Sequence, residues 1–144
     1  MILKKAEPQN IDQVKEVTDL LHLDIPSFVW NDESFIKKQV ENGEYFLMEE
    51  GGVVAGVMSL RERKNGMHIE TLVIRKEFQG KGYGSKFIEF AKDYAKEHQI
   101  KKLYAYSFAD YNISDFYTKK GFLLMDYVGF YKHYKYHCFE MNLS

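Results

Sequence analysis

The run from Ile69 to Ile88 constrains the fold of this chain more than any other. It opens with Ile69-Glu70-Thr71-Leu72-Val73-Ile74, passes through Arg75-Lys76-Glu77-Phe78 to Gln79-Gly80-Lys81-Gly82-Tyr83-Gly84, and ends in Ser85-Lys86-Phe87-Ile88. The first six residues are β-branched or apolar apart from one carboxylate, the composition of a buried strand. Downstream, Phe87, Ile88, Ala91, Tyr94, Ala95 and His98 recur at helical spacing, with Lys, Glu and Asp on the opposite face. Three glycines at alternate positions join strand to helix. Glycine admits positive φ and lets the backbone approach a ligand with no Cβ in the way. Such residues entering a helix aim successive N–H groups into one concavity, at the positive end of the helix dipole. The stretch reads as a phosphate or pyrophosphate site, with Lys81 and Lys86 adding cationic charge.

Spacing narrows the ligand. A dinucleotide fingerprint, G-x-G-x-x-G, needs a glycine where Ser85 stands, because the third glycine arrives one position early. The Walker pattern, with four residues between its glycines and then Lys-Ser/Thr, is absent. What fits is Q-x-x-G-x-G behind an apolar L-x-I strand end. From Leu72 to Ser85 the chain resembles the acyl-CoA loop of the GNAT N-acetyltransferase superfamily, whose usual form is R/Q-x-x-G-x-G/A. A Gly-rich βα turn without a ligand is the plainer reading, but such turns rarely need three alternating glycines. The resemblance implies acetyl-CoA as co-substrate and no metal. It implies that Gln79, Gly80, Lys81, Gly82, Tyr83, Gly84 and Ser85 hold the coenzyme. Leu72 and Ile74 would pair with its pantetheine arm through their main chains, like an added strand. The N–H of Val73 or Ile74 would face the developing oxyanion.

The remaining chain fits one domain of 144 residues, long enough for a single sizeable core. With 45% hydrophobic residues it is not a mainly disordered chain. A formal charge of −1 gives no general attraction to nucleic acid or an anionic membrane. Cys138 has no second cysteine to bridge to and suits a reducing compartment. No apolar run is long enough for a membrane span, and the N-terminus lacks a signal-peptide apolar region, so the expected location is the cytoplasm.

Local signals place the other elements. Met1 to Ala6 reads as a strand, and Asn10 as the cap of a helix with Gln13 placed for a capping box and Ile11, Val14, Val17, Leu20 and Leu21 on one face. Leu23 to Trp30, with Pro26, is a loop. A second helix starts at Asn31 or Asp32, buries Phe35, Ile36 and Val40, and stops at Gly43. Glu44–Glu49 and Val53–Arg61 flank Glu50-Gly51-Gly52 as a hairpin, and Asn65-Gly66 turns the chain into the central strand. Lys102 to Ser107 is a strand, Asn112 to Lys120 a short helix closed by Gly121, and Phe122–Val128 and Tyr136–Leu143 the last strands, joined by an aromatic and basic loop. Periodicity alone supports a three-layer α/β or α+β domain. The resemblance spans the chain and implies a mixed α/β (α+β) fold of about six to seven strands, splayed at the acyl-CoA site and flanked by about four helices.

Acyl transfer to an amine needs a proton acceptor, a stabilised oxyanion and a protonated leaving thiolate. Glu70 is the leading base: it interrupts an apolar strand beside the loop, and partial desolvation should raise its pKa. His68, two residues before it, is a weaker rival, more often a satisfied or surface histidine. Tyr117 is the leading acid. The segment ending Tyr117-Thr118-Lys119-Lys120-Gly121-Phe122 resembles the family's second signature, N-x-x-A-x-x-x-Y-x-x-x-G-F, whose Tyr usually faces the CoA sulfur. The front of the segment departs from that signature, with Asp110 at the family's Asn position and Ile113 at its small residue. Asn112 reads as the helix N-cap and stands as a candidate coenzyme contact. Cys138 is no candidate nucleophile, lying in a final strand far in sequence from the glycine loop.

Acceptor recognition is expected from the loop before the second helix, that helix, and the loop before the last strand. Asp24, Asp32 and Glu33 suit a cationic amine, although Asp32 and Glu33 serve equally as helix N-terminal residues. Tyr127, Tyr131, His133, Tyr134 and Tyr136, with Lys132 and Lys135 between them, suit either ligand stacking or an edge hairpin, and the hairpin is favoured. The expected partners are acetyl-CoA and an amine acceptor, with neither nucleic acid nor membrane, in a monomer or homodimer. Two rivals stand beside the enzyme: a non-catalytic acyl-CoA-binding or sensing module of the same fold, and an interaction domain with no coenzyme site.

Overall fold

The computed structural model describes residues 2–20, 30, 32–108 and 114–143. Segments 21–29 and 109–113 lie outside the described residues, and with them Asp24, Pro26, Asp110, Asn112 and Ile113; so does Asn31. The elements are β1 (Ile2–Lys5), α1 (Ile11–Thr18), α2 (Glu33–Glu41), β2 (Tyr45–Glu50), β3 (Val53–Arg63), β4 (Gly66–Ile74), α3 (Tyr83–Glu97), β5 (Lys102–Phe108), α4 (Ser114–Lys119), β6 (Leu123–Tyr131) and β7 (Tyr134–Asn142). The strands form a mixed seven-stranded sheet in the order β1-β2-β3-β4-β5-β7-β6. Its β4–β5 pair is parallel, while β1–β2, β2–β3, β5–β7 and β6–β7 are antiparallel. Fold class and element order agree with the sequence expectation. Two compact units divide the chain: Met1–Leu60 with Glu70–Phe87, and Arg61–Ile69 with Ile88–Ser144.

In the first unit Val14, Val17, Ile36, Val40, Tyr45, Leu47, Val57 and Val73 are buried in one apolar cluster. Helix α2 starts where its sequence says it should: the Asp32 carboxylate accepts from Phe35 N–H at 3.2 Å and satisfies one of the first turn's orphan donors. Gly43, at φ +74°, ends it, and Glu44 N–H reaches back to the Gln39 carbonyl at 2.9 Å. Helix α1 begins differently from expectation. Pro8–Asn10 forms a 3-10 turn first, so the Asn10 side chain is already committed: its oxygen takes Glu7 N–H at 2.9 Å and its amide donates to Gln13 at 3.0 Å. Asn10 sits at the N-cap position but caps no α1 N–H. Strands β2 and β3 close through Gly51 and Gly52, both at positive φ, in the two-residue turn that matches strand twist.

Gly56 sets how closely β3 and β4 pack. A Cβ built on it would lie 2.6 Å from Ile74 Cδ1, 2.9 Å from the Val73 carbonyl oxygen and 3.2 Å from the Phe87 ring. Only a residue without a side chain fits there.

In the second unit, Met67, His68 and Ile69 pair with Leu103, Tyr104 and Ala105. Ile69, Leu103, Ala105 and Phe139 are buried, as are Ile88, Ala91 and Ala95 of α3. His98 departs from the expected apolar face: it lies beyond the last α3 residue, exposed, with its ring stacked on Tyr94. The expected aromatic and basic loop near the C-terminus is instead strand. Strands β6 and β7 run on to Tyr131 and Tyr134, leaving Lys132 and His133 as a tight turn with Lys132 at φ +56°. The aromatic residues there belong to a hairpin. Its ladder is irregular between Leu124 and Val128.

Candidate active site

The glycine loop belongs to the first unit. After β4, Lys76–Phe78 forms a 3-10 turn, and Gln79 Nε2 turns back to donate to the Ile74 carbonyl at 3.0 Å. Gly80 and Gly82 adopt φ +79° and +83°, conformations that side-chain-bearing residues rarely take. A Cβ on either would meet no protein atom within 4 Å, so both glycines answer to backbone shape, and the space above them is open. Gly84 lies inside the first turn of α3. The first hydrogen bond of that helix runs from Lys86 N–H to the Gly82 carbonyl at 3.1 Å. The N–H groups of Tyr83, Gly84 and Ser85 therefore precede the helical ladder and have no intrahelical acceptor. The positive end of a fifteen-residue helix stands behind them.

Side chains brace this loop. The Tyr83 ring is buried and tilted against Phe78 at 5.9 Å, and its hydroxyl donates to the Glu50 carboxylate at the end of β2. That contact holds the Glu50 carboxyl below its usual range. The Lys81 ammonium sits 5.4 Å over the Phe78 ring. Arg75, which carries no role in the sequence reading, anchors the strand end: its main-chain N–H bonds to the Ala55 carbonyl at 2.8 Å, its Nε to the Val54 carbonyl at 2.7 Å, and its Nη2 to Glu16 at 3.0 Å. All three partners lie 20 or more residues upstream, where no local pattern could link them to Arg75.

Glu70, also in the first unit, is half-buried, with its Oε1 shielded from solvent. Its strand neighbours Leu72 and Ile74 are half-buried and Val73 is buried. His68 is not poised as a base. Both ring nitrogens are engaged, burial is the main cause pushing its pKa down to about 4, and Arg63 adds to this.

Tyr117 lies on α4 in the second unit, in an aromatic setting of Phe139 at 5.0 Å, Phe116 at 5.1 Å and Phe122 at 5.5 Å. Burial raises its pKa, which makes the phenol a weaker acid than a free tyrosine, itself already protonated in the neutral range. Asn112 lies outside the described residues. Cys138 is buried, and burial pushes its thiol pKa up, away from thiolate chemistry. Among the described residues no group of three His, Cys, Asp or Glu side chains could hold a metal ion, and no helix is long and apolar enough to cross a membrane.

The acetyltransferase (GNAT) family model matches residues 14–122. No curated protein sequence matches the chain. Among solved structures, Ard1 from Thermoplasma volcanium superposes with a TM-score of 0.85 at 14% identity, covering 99% of this chain and 97% of that one. PaiA N-acetyltransferase from Thermoplasma acidophilum, in complex with coenzyme A, gives a TM-score of 0.79 at 15% identity over 98% of both chains. N-acetylglutamate synthase from Neisseria gonorrhoeae, complexed with coenzyme A and N-acetyl-glutamate, gives 0.79 at 18% identity over 99% of this chain and 35% of that one. Extended strand, glycine loop, following helix and family match agree, and the chain belongs to the GNAT family of acetyltransferases. It is an N-acetyltransferase.

Proposed function

We propose that the protein transfers the acetyl group of acetyl-CoA to a primary amine of a small molecule, peptide or protein, by direct attack in a ternary complex. The observation that carries this reading is the loop of Gly80 and Gly82 at positive φ, leading into the unladdered N–H groups at the start of α3. That arrangement suits the coenzyme's pyrophosphate, with Lys81 and Lys86 nearby in sequence to offset its charge. The pantetheine arm is assigned to the main chain of Leu72 and Ile74, and the oxyanion to the N–H of Val73 or Ile74. One constraint follows from the fold: the Ile74 carbonyl already receives the Gln79 amide, so pantetheine would share that oxygen or use Leu72.

The bonding changes are simple. The amine nitrogen attacks the thioester carbonyl; a C–N bond forms and the C–S bond breaks. We assign the ammonium proton to Glu70, directly or through one water, and assign Tyr117 to protonate the departing thiolate. The gapless Y-x-x-x-G-F match from Tyr117 to Phe122 supports its part, while burial, by raising the phenol pKa, works against it. A buried, undissociated thiol at Cys138 supports direct transfer over a covalent acyl-enzyme.

The test is thiol release from acetyl-CoA against a panel of amines, peptides and polyamines, with acetyl-CoA binding followed by calorimetry. Turnover with at least one amine, and loss of binding in a folded Gly82→Val variant, are expected. Binding without turnover across the panel would make the chain a coenzyme-binding module. Undiminished binding by Gly82→Val would remove the loop from the site.

A further inference from the structure

We propose that Glu50 is a positioning residue for acetyl-CoA: by holding the Tyr83 hydroxyl from the tip of the β2–β3 hairpin, it fixes the glycine loop in its coenzyme-receiving shape. The proposal rests on the loop being the coenzyme site. Glycines give a loop the conformations it needs and also many it does not, so a loop built on Gly80 and Gly82 requires side-chain restraint to present its N–H groups convergently. Two side-chain hydrogen bonds restrain the described loop. Gln79 ties its entrance to the Ile74 carbonyl from an exposed position. Tyr83 ties its exit: as the first residue of α3, 7% exposed and packed against Phe78, it reaches the Glu50 carboxylate across 33 residues of sequence.

Glu50 is well placed to act as a fixed post. It ends β2 directly before Gly51 and Gly52, and its Cα partner across the hairpin is Val53. A carboxylate is an unexpected neighbour for a polyphosphate. Its charge opposes the coenzyme's, and Lys81 and Lys86 both act on it electrostatically. A group that disfavours anion binding by charge yet is bound so closely to the loop is best explained by what its oxygen holds. An amide oxygen can hold it too. Substitution separates the two effects: a hydrogen-bond acceptor at position 50 is needed, and the negative charge is not.

The experiment measures acetyl-CoA affinity by calorimetry, and KM and kcat with one active amine, for Glu50→Ala, Glu50→Gln, Tyr83→Phe and the Glu50→Ala/Tyr83→Phe pair, with circular dichroism to confirm folding. Tyr83→Phe and Glu50→Ala should each weaken acetyl-CoA binding about five- to tenfold, the range for losing one hydrogen bond. The effect should fall on affinity and KM, with kcat at saturation little changed, and the double variant should be no worse than either single one. Glu50→Gln should bind at least as tightly as the original chain. Additive losses, unchanged affinity in both single variants, or a Glu50→Gln variant as weak as Glu50→Ala would each overturn the proposal. Gly82→Val is the companion measurement. If it leaves binding intact, the loop is not the coenzyme site; if it abolishes binding while the Glu50 and Tyr83 variants bind normally, the loop stands and the post falls.

Discussion

The Tyr106 hydroxyl lies 2.6 Å from His68 Nδ1, while Asn65 Oδ1 lies 2.7 Å from His68 Nε2. The Asn oxygen can only accept, so the proton sits on Nε2, and Nδ1 accepts from the tyrosine. Tyr104 stacks on the same imidazole at 4.8 Å. This fully bonded ring is neutral, and its folded pKa of about 4 lies below the 6.5 of a free histidine. The unfolded chain therefore takes up a proton on this residue at a pH where the folded chain does not. Stability from this source is complete above about pH 6.5 and is lost as pH falls towards about 4. Chemical denaturation at several pH values should show that decline, and His68→Gln should flatten it.

Glu70→Gln keeps the side-chain shape and removes the proton acceptor. Acetyl-CoA binding should be unchanged, and turnover at neutral pH should drop by about 10²-fold or more, the range for losing a positioned base. Partial recovery is expected at high pH, where more acceptor is free amine. Turnover against pH for both proteins with one amine is the measurement, and superimposable profiles would make Glu70 a structural carboxylate.

Tyr117→Phe removes one hydroxyl from a ring held by Phe116, Phe122 and Phe139. Packing should survive, with kcat reduced about 10²-fold and acetyl-CoA affinity retained. Near-normal turnover would leave Tyr117 as a core aromatic.

Gly56→Ala places a methyl against the Val73 carbonyl and the Ile74 side chain. Overpacking of this kind costs about 1–3 kcal/mol. Urea denaturation should register that loss. Turnover should also fall, because the displaced atoms belong to the strand end assigned to the thioester.

Local chemistry explains what could be read from the sequence. The β4–loop–α3 run, the Gly51-Gly52 turn and the Asp32 cap each carry their signal within a few residues, and each formed as expected. The long-range side-chain contacts do not. Tyr83 meets Glu50, Arg75 meets Val54 and Glu16, and His68 meets Tyr106, across 33, 21, 59 and 38 residues. Nothing in either partner's neighbourhood announces the other. Asn10 shows the opposite failure: a good capping residue was drawn into an earlier turn started by Pro8, a competition between two local signals that composition cannot rank.

The irregular ladder between Leu124 and Val128 has a consequence for the protein's behaviour at high concentration. β6 is an edge strand, and Leu123, Leu124, Tyr127, Val128 and Phe130 are all exposed on it. A straight strand of that composition would offer its free backbone groups as a template for another chain. The irregularity falls at Met125-Asp126-Tyr127, breaking the edge into two short pieces with a charge between them. Smoothing it, by deleting two of these residues or replacing Asp126 with valine, should leave the fold intact and increase self-association along this edge, read by light scattering as concentration rises.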